Sequence, residues 1–214
     1  LCVHQMGLPC DITAIVAVTK ARGIPVIEDA ACAIGSEVLS DGRWDREDRT
    51  HGDLPCFSFH PRKIMNTGDG GMITTIHPEW DAKFRLLRQH GMSVPDTVRH
   101  ASTRVIAESY PILGFNYRLT DIQAAIGREQ LKRLPEIIAR RRELGARYQA
   151  LLAAVPGVKR PVEVAWARTN WQTYTVVLRE GLDQRTVMQQ MLDHAPRDAA
   201  PAPRRALRRR QHAR

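Results

Sequence analysis

The chain has 214 residues, of which 43% are hydrophobic and 26% are charged, and its formal net charge is +9. This length can form one or two domains with a sizeable core. No run of about 18 apolar residues occurs, and the first residues lack the basic-then-apolar pattern of a signal peptide, so we expect a cytoplasmic protein without a membrane segment.

The positive charge is concentrated at the carboxyl end of the chain. Residues 195–214 hold seven arginines and one aspartate, which leaves only +3 of the total for the remainder. This segment is almost entirely Ala, Pro and Arg, and we predict a disordered basic tail. A functional basic arm and a reading-frame change are both open explanations for it. The rest of the chain gives no electrostatic reason to expect a nucleic-acid partner.

The four cysteines are Cys2, Cys10, Cys32 and Cys56. None of them forms a C-x-x-C pair, and no histidine cluster has the spacing of a zinc site. We therefore expect small buried thiols in a reducing compartment and no bound metal.

The first elements predict a strand-helix-strand unit. Residues 1–4 favour a short strand, Asp11 can cap a helix with one apolar face, and Gly23 ends that helix. Residues 24–27 then form a short apolar run that is typical of a strand covered on both faces. Two strands joined by a crossover helix indicate a parallel sheet.

Glu28 and Asp29 follow that apolar run, at the predicted carboxyl end of the strand. Ligands of open α/β sheets bind just beyond the carboxyl ends of strands, so an acid here is a candidate functional residue. A lone aspartate can equally well cap the next element.

Further along the chain, turn residues and apolar periodicity predict a series of shorter elements. A capping box at Thr120 and Gln123 predicts a helix start, and Pro135 is expected to kink or interrupt that helix. The remaining predictions are a surface hairpin or loop over 40–52, a strand over 54–59, a tight loop over 61–71, a strand over 72–76, a helix over 78–89, an ordered loop over 91–112, a strand over 171–178 and an amphipathic helix over 183–192.

Four short stretches in order carry a resemblance to a known family. They are VIEDAA at 26–31, FSFHPRK at 57–63, TGDGG at 67–71 and GFNYR at 114–118. Together they resemble the DegT/DnrJ/EryC1/StrS family, pyridoxal-phosphate (PLP) dependent aminotransferases that mostly act on nucleotide-linked keto-sugars. The resemblance covers roughly residues 1–193.

The resemblance implies an α/β fold, namely part of the type I, aspartate aminotransferase-like fold with a mainly parallel sheet and flanking helices. On this basis residues 1–134 are expected to form part of the large PLP-binding domain. Residues 135–194 would hold a connecting helix and the start of a small α+β domain, ahead of the tail at 195–214.

The same resemblance implies the cofactor site. Lys63 matches the lysine that holds PLP covalently and then shuttles a proton, although a lone loop lysine is usually a solvated surface residue. Asp29 matches the acid beside the pyridine nitrogen, Ser58 a phosphate contact, and Asn116 a phosphate contact from the neighbouring subunit of a homodimer. Cys32 stands where many relatives carry Gln or His near the cofactor ring.

The implied reaction is transfer of an amino group, from glutamate, to a nucleotide-linked keto-sugar. Lys63 argues against the dehydratase branch of the family, where histidine replaces the lysine. The resemblance also implies that family members have well over a hundred residues before the matching stretch. The alternative is therefore a truncated, catalytically inactive fragment that serves at most as a dimerising or interaction module. Arg118 could contact an acidic substrate group or form a structural salt bridge.

Overall fold

The computed structural model describes residues 1–46 and 51–194, and the predicted tail at 195–214 lies outside the described residues. A single turn of 3-10 helix at Gln5–Gly7 follows the first strand. The other elements are β1 Cys2–Val3, α1 Ile12–Lys20, β2 Ile27–Asp29, β3 Glu37–Ser40, β4 Arg43–Arg46, β5 Leu54–Ser58, β6 Gly71–Ile73, α2 Pro78–Leu87, α3 Asp96–Ala101, α4 Asp121–Leu151, β7 Val158–Lys159, β8 Ala167–Arg168, β9 Val177–Leu178 and α5 Gln184–Asp193.

The main sheet has the strand order β1-β2-β5-β6. The first three strands are parallel and β6 is antiparallel to β5, so the predicted, mainly parallel sheet is confirmed. Helix α1 forms the crossover from β1 to β2, and the Asp11 side chain caps it by accepting from the Ala14 N–H at 3.0 Å.

The second strand begins later than the sequence predicts. The apolar run at 24–27 favours a strand there, but ladder pairing starts at Ile27 and ends at Asp29. Pro25 has no N–H to donate, and the Val26 N–H donates instead to the Asp53 carboxylate at 2.7 Å. Glu28 therefore lies inside the strand, and Asp29 is its last residue.

The two faces of the main sheet have different surroundings. Cys2, Glu28 and Phe57 point to one face and are buried. The opposite face carries Val3, Asp29, Cys56 and Ile73. These residues share a face because the register pairs Val3 with Asp29, and Cys56 with both Asp29 and Ile73. There the apolar side chains remain open within the described residues: Val3 is 43% exposed, Ile27 41% and Ile73 50%.

A second sheet contains the hairpin that the sequence predicts as a surface hairpin or loop. Strands β3 and β4 pair antiparallel, and β8 joins the other edge of β3. Asp41 and Gly42 connect β3 to β4 with positive φ angles of 48° and 75°, the conformation of a tight two-residue hairpin turn.

Helix α4 begins at the predicted capping box, since Thr120 and Gln123 make both reciprocal hydrogen bonds. The expected interruption at Pro135 is wrong, because the helix continues from Asp121 to Leu151. Burial of Leu134 and Ile138 on either side of the proline stabilises the helix there. Helix α4 also crosses the predicted domain boundary at 134/135, and the division into domains stays a prediction.

The last part of the described chain contains less strand than the sequence predicts. Of residues 171–178, only Val177–Leu178 pair in a ladder, with β7. Helix α5 begins as predicted, with Asp183 as its N-cap. The predicted loop over 91–112 contains the short helix α3. Across residues 1–46 and 51–194, no helix is both long and apolar enough to cross a membrane.

Candidate functional site

Lys63 lies in the loop that follows β5, where its N–H donates to the His60 carbonyl at 2.9 Å. The side chain is half-buried, and its Nζ donates to the Cys32 Sγ at 3.1 Å. Among the residues that the structure describes, no carboxylate lies within 4.0 Å of this amine. The lysine amine is therefore hydrogen-bonded to a cysteine sulfur, a weak acceptor, rather than paired with a carboxylate.

Asp29 ends β2 at the edge where the parallel strands terminate. Its Oδ1 accepts from the Ala31 N–H at 3.1 Å, and in the described part of the chain Oδ2 has no hydrogen-bond partner. Cys32 follows only three residues later, a chain length that spans at most about 11 Å. The contact between Lys63 and Cys32 thus places the lysine amine in the neighbourhood of Asp29.

Cys56 lies beside Asp29 on the neighbouring strand. Burial, reinforced by the negative charges of Asp29 and Glu28, raises the pKa of the Cys56 thiol. The thiol is therefore a neutral neighbour of the acid at ordinary pH. Only Cys2 is buried as expected, and Cys10, Cys32 and Cys56 are half-buried.

Ser58 is the last residue of β5 and points to the same sheet face as Cys56 and Asp29. Its hydroxyl oxygen accepts from the His60 N–H at 3.4 Å. The hydroxyl proton therefore remains available to donate to an anion.

Sequence reasoning missed a buried hydrogen-bond network beneath Asp29. The Cys10 N–H donates to His4 Nδ1 at 3.3 Å, so the Nε2 of the ring donates to Glu28 Oε2 at 3.0 Å. The other oxygen of Glu28 accepts from the Gly52 N–H at 2.6 Å. His4 and Glu28 are fully buried. In the sequence, Glu28 is only an acid next to an apolar run, and this pattern did not predict its pairing with the distant His4.

A second missed feature is Asn170, which is fully buried. Its Nδ2 donates to the carbonyls of Cys32 and Ile34, both at 2.9 Å, and its N–H donates to the Ser36 hydroxyl at 3.1 Å. This one side chain holds the turn that presents Cys32 to Lys63. The strand predicted over 171–178 begins directly after Asn170, and the sequence pattern did not predict this role.

Asn116 lies elsewhere in the chain. Its Oδ1 accepts from Arg118 Nε at 3.0 Å, and its backbone bridges to Gln89. Its contacts within the described residues do not include Lys63, Asp29 or Ser58. The resemblance expects it to act from a neighbouring subunit, and that role stays a prediction.

The glycine-rich loop at 67–71 lies between Lys63 and α4. Gln123 of the capping box donates from Nε2 to the Asp69 carbonyl at 3.0 Å, which fastens the loop to the start of the helix. Gly70 has a φ of +136°, a backbone conformation open to glycine but rarely to other residues.

The fold is part of the type I fold of PLP-dependent transferases: a mainly parallel sheet carries an acid at a strand end, and a lysine amine lies in the loop after the adjacent strand. The sequence profile of the DegT/DnrJ/EryC1/StrS aminotransferase family matches residues 1–201, so the chain belongs to this family.

Individual relatives agree with this assignment. The GDP-perosamine synthase of Caulobacter vibrioides is 40% identical over 181 residues, which are 84% of this chain and 45% of the synthase. The spore coat polysaccharide biosynthesis protein SpsC of Bacillus subtilis is 36% identical over 83% of this chain and 44% of its own length. The aminotransferase TlmJ of Streptoalloteichus hindustanus superposes with a TM-score of 0.77 at 32% identity, covering 90% of this chain and 49% of TlmJ. The chain thus spans about half the length of these relatives.

The cofactor of the family is PLP, and the residues present here fit it. An amine without an ion pair can bond to the cofactor aldehyde, and an acid with one oxygen uncommitted can accept from a ring N–H. A serine hydroxyl with a proton to donate suits a phosphate. Among the described residues, no cluster of three or more metal-ligating side chains occurs.

Proposed function

We propose that this chain supplies the lysine, the ring acid and two phosphate donors of an aminotransferase that moves an amino group, from glutamate, to a nucleotide-linked keto-sugar. The observation that carries the proposal is the Lys63 amine, half-buried and bonded only to the Cys32 thiol among the described residues. The name of the Caulobacter relative, GDP-perosamine synthase, supports a nucleotide-linked sugar as the substrate class.

Lys63 has two tasks in this proposal. Its Nζ would hold PLP covalently, and the cofactor would supply an electron sink when bound. The free Nζ would then serve as the base that moves a proton between the substrate carbon and the cofactor, from the donor amino acid in one half of the reaction and to the sugar carbon in the other. A thiol acceptor suits both tasks, because it holds the amine in place and leaves it uncommitted to a carboxylate among the described residues.

Asp29 is proposed to accept a hydrogen bond at Oδ2 from the protonated ring nitrogen of the cofactor. A hydrogen bond to a charged group contributes about 1.5–3 kcal/mol, and more where it opposes charge that develops during the reaction. The Ala31 N–H occupies Oδ1 and so fixes the orientation of the carboxylate.

Ser58 and Asn116 are proposed to bind the cofactor phosphate, with Asn116 supplied by the second subunit of a homodimer. The surface around Asn116 supports an interface. Phe115 and Tyr117 flank it with their rings stacked 5.2 Å apart, and they are 49% and 74% exposed. Contiguous exposed aromatic surface of this kind marks interaction sites.

The first experiment maps where PLP attaches. The purified chain is mixed with PLP, reduced with borohydride, digested and analysed by mass spectrometry. We expect the modification to concentrate on Lys63 and to vanish from that peptide in Lys63→Ala, while Lys83→Ala, an exposed lysine on α2, leaves it unchanged. Equal modification of Lys63 and Lys83 would contradict the proposal and favour the inactive fragment.

The second experiment tests the shared site. Lys63→Ala and Asn116→Ala chains are each expected to trap little PLP, because each lacks one part of every site. Random mixing should restore about a quarter of the wild-type sites, since half the dimers are mixed and each of these has one intact site. A mixture that traps no more than the separate variants would rule out the contribution of Asn116 across the interface.

The third experiment tests the substrates. A GDP-linked keto-sugar is incubated with glutamate and the chain, and the aminated sugar is measured by mass spectrometry. Product that requires Lys63 would support the reaction. PLP attachment without product from any nucleotide-linked keto-sugar would reject it for the chain as it stands.

A further inference from the structure

The side chain of Gln172 bridges the backbone on both sides of Lys63. Its Oε1 accepts from the Ile64 N–H at 2.9 Å, and its Nε2 donates to the Arg62 carbonyl at 2.9 Å. A carboxamide has one acceptor and one donor end, and here both are used on the residues immediately before and after the lysine.

The same short segment also holds the acceptor of the Lys63 amine. Asn170 donates to the Cys32 carbonyl, as described above, and its Oδ1 accepts from the Gln172 N–H at 2.8 Å. The Asn170 side chain is thus hydrogen-bonded to the backbone of Gln172, which joins the two residues into one unit. We call this unit, Asn170 with Gln172, the amide clamp.

Helix α4 anchors the amide clamp from behind. Arg141 donates from one guanidinium nitrogen to the carbonyls of Trp171 and Gln172, at 2.9 and 3.3 Å. Trp171 has a φ of +52°, and its ring packs on Gly145, where an added Cβ would lie 2.8 Å from the ring. A left-handed backbone at a bulky residue persists only where the surroundings fix it.

We propose that Gln172 is a positioning residue for Lys63, acting through the backbone of residues 62–64. The proposal rests on the proposed function of Lys63 and adds a residue from the far end of the chain to that site. With Gln172 in place, the Lys63 loop and the Cys32 turn are held by one rigid unit, so the amine stays at its thiol acceptor. Misplacement of a reacting group by about 1 Å can cost a hundred-fold in rate.

A purely structural role is the competing explanation, so the test needs a readout that general stability does not move. Gln172→Ala removes both hydrogen bonds. Gln172→Glu keeps an acceptor for the Ile64 N–H but cannot donate to the Arg62 carbonyl. Gln149→Ala is the matched control, because Gln149 also donates to a carbonyl, that of Pro161 at 2.7 Å. It does so without contacting the Lys63 loop.

The main readout is the rate of reductive PLP trapping at Lys63, divided by the rate at the exposed Lys83 in the same sample. Gln172→Ala is expected to lower this ratio at least about ten-fold, with an intermediate loss in Gln172→Glu and none in Gln149→Ala. The urea midpoint is measured for each variant. If Gln172→Ala lowers the urea midpoint more than Gln149→Ala does, the trapping ratio of Gln172→Glu decides between a positioning role and a purely structural one.

Hydrogen–deuterium exchange supplies a readout that needs no cofactor. The Ile64 amide should exchange faster in Gln172→Ala than in the wild type, and at the wild-type rate in Gln149→Ala. A Lys63 to Lys83 ratio within about two-fold of the wild type, or unchanged exchange at Ile64, overturns the proposal. Should wild-type trapping show no preference for Lys63, the proposed function fails, and the exchange rates then decide the positioning proposal on their own.

Discussion

The amine of Lys63 donates a hydrogen bond to the thiol of Cys32 at 3.1 Å. This contact joins the loop after β5 to the turn after β2, and it places a polarisable sulfur acceptor where many family members are expected to carry Gln or His. It also makes Cys32 the side chain through which Lys63 can be blocked without a change to the lysine itself.

Alkylation of Cys32 with iodoacetamide is therefore expected to lower PLP trapping at Lys63 at least about five-fold, because the added group occupies the space next to the amine. The Cys32→Ser chain is the control, since its remaining cysteines still react. Trapping by that variant should be the same before and after alkylation. Equal trapping by alkylated and untreated wild type would show that the contact does not govern access to the amine.

The buried pair of His4 and Glu28 should dominate the stability of the main sheet. His4→Ala leaves a buried carboxylate short of a donor, at a cost of about 3 kcal/mol in the free energy of unfolding. His100→Ala, on the short helix α3, should stay within about 0.5 kcal/mol of the wild type. Urea unfolding monitored by circular dichroism measures both. A His4→Ala loss no larger than that of the control would mean that Glu28 finds another partner.

The Asp53 carboxylate should confer a pH dependence on stability. Burial acts to raise its pKa, but hydrogen bonds from the Val26 N–H and the His77 ring outweigh this and hold the pKa of Asp53 below its usual value near 3.8. Since the folded state binds this proton less readily, the stabilisation is present above the usual value and is lost as pH falls through the lowered pKa.

The measurement for Asp53 compares wild type with Asp53→Asn in urea. The wild type should be the more stable of the two at about pH 6, and the difference should shrink toward zero at about pH 3. A difference that stays constant over this range would exclude Asp53 as the titrating group.

Pro135 offers a route to a more stable chain. It lies exposed inside α4 and removes the backbone hydrogen bond to the Leu131 carbonyl. Pro135→Ala should restore that bond and raise the free energy of unfolding by about 1–3 kcal/mol. Glu136→Ala, one residue further along the same helix, should change it by less than about 0.5 kcal/mol. A lower urea midpoint in Pro135→Ala than in the wild type would show that the helix is shaped around the proline.

Local signals in the sequence predicted local structure well. The N-cap at Asp11 and the capping box at Thr120 mark helix starts because a side chain satisfies a backbone donor three residues away. Such a bond depends only on neighbours in the sequence.

The parts that sequence reasoning missed depend on distant partners. Val26 leaves the ladder because Asp53 takes its N–H, and Gln172 leaves the predicted strand because its amide satisfies the backbone on both sides of Lys63. Asn170, directly before that predicted strand, satisfies the turn at Cys32. Pro135 was predicted to kink or interrupt a helix on propensity alone, and burial of Leu134 and Ile138 keeps the helix uninterrupted there. The resemblance named Lys63, Asp29 and Ser58, but it gave no signal for the residues that hold them.

The amide clamp also fixes the order in which the site can form during synthesis. Gln172 bonds to Ile64 across 108 residues, and Asn170 bonds to Cys32 across 138. When Lys63 has just emerged from the ribosome, the amide clamp is not yet complete, because its residues come more than about 100 positions later. Contacts so far apart in sequence are also slow to form. The lysine loop therefore reaches its final geometry only after Gln172 has been translated, and a chain stopped before Asn170 would keep the lysine without the means to orient it.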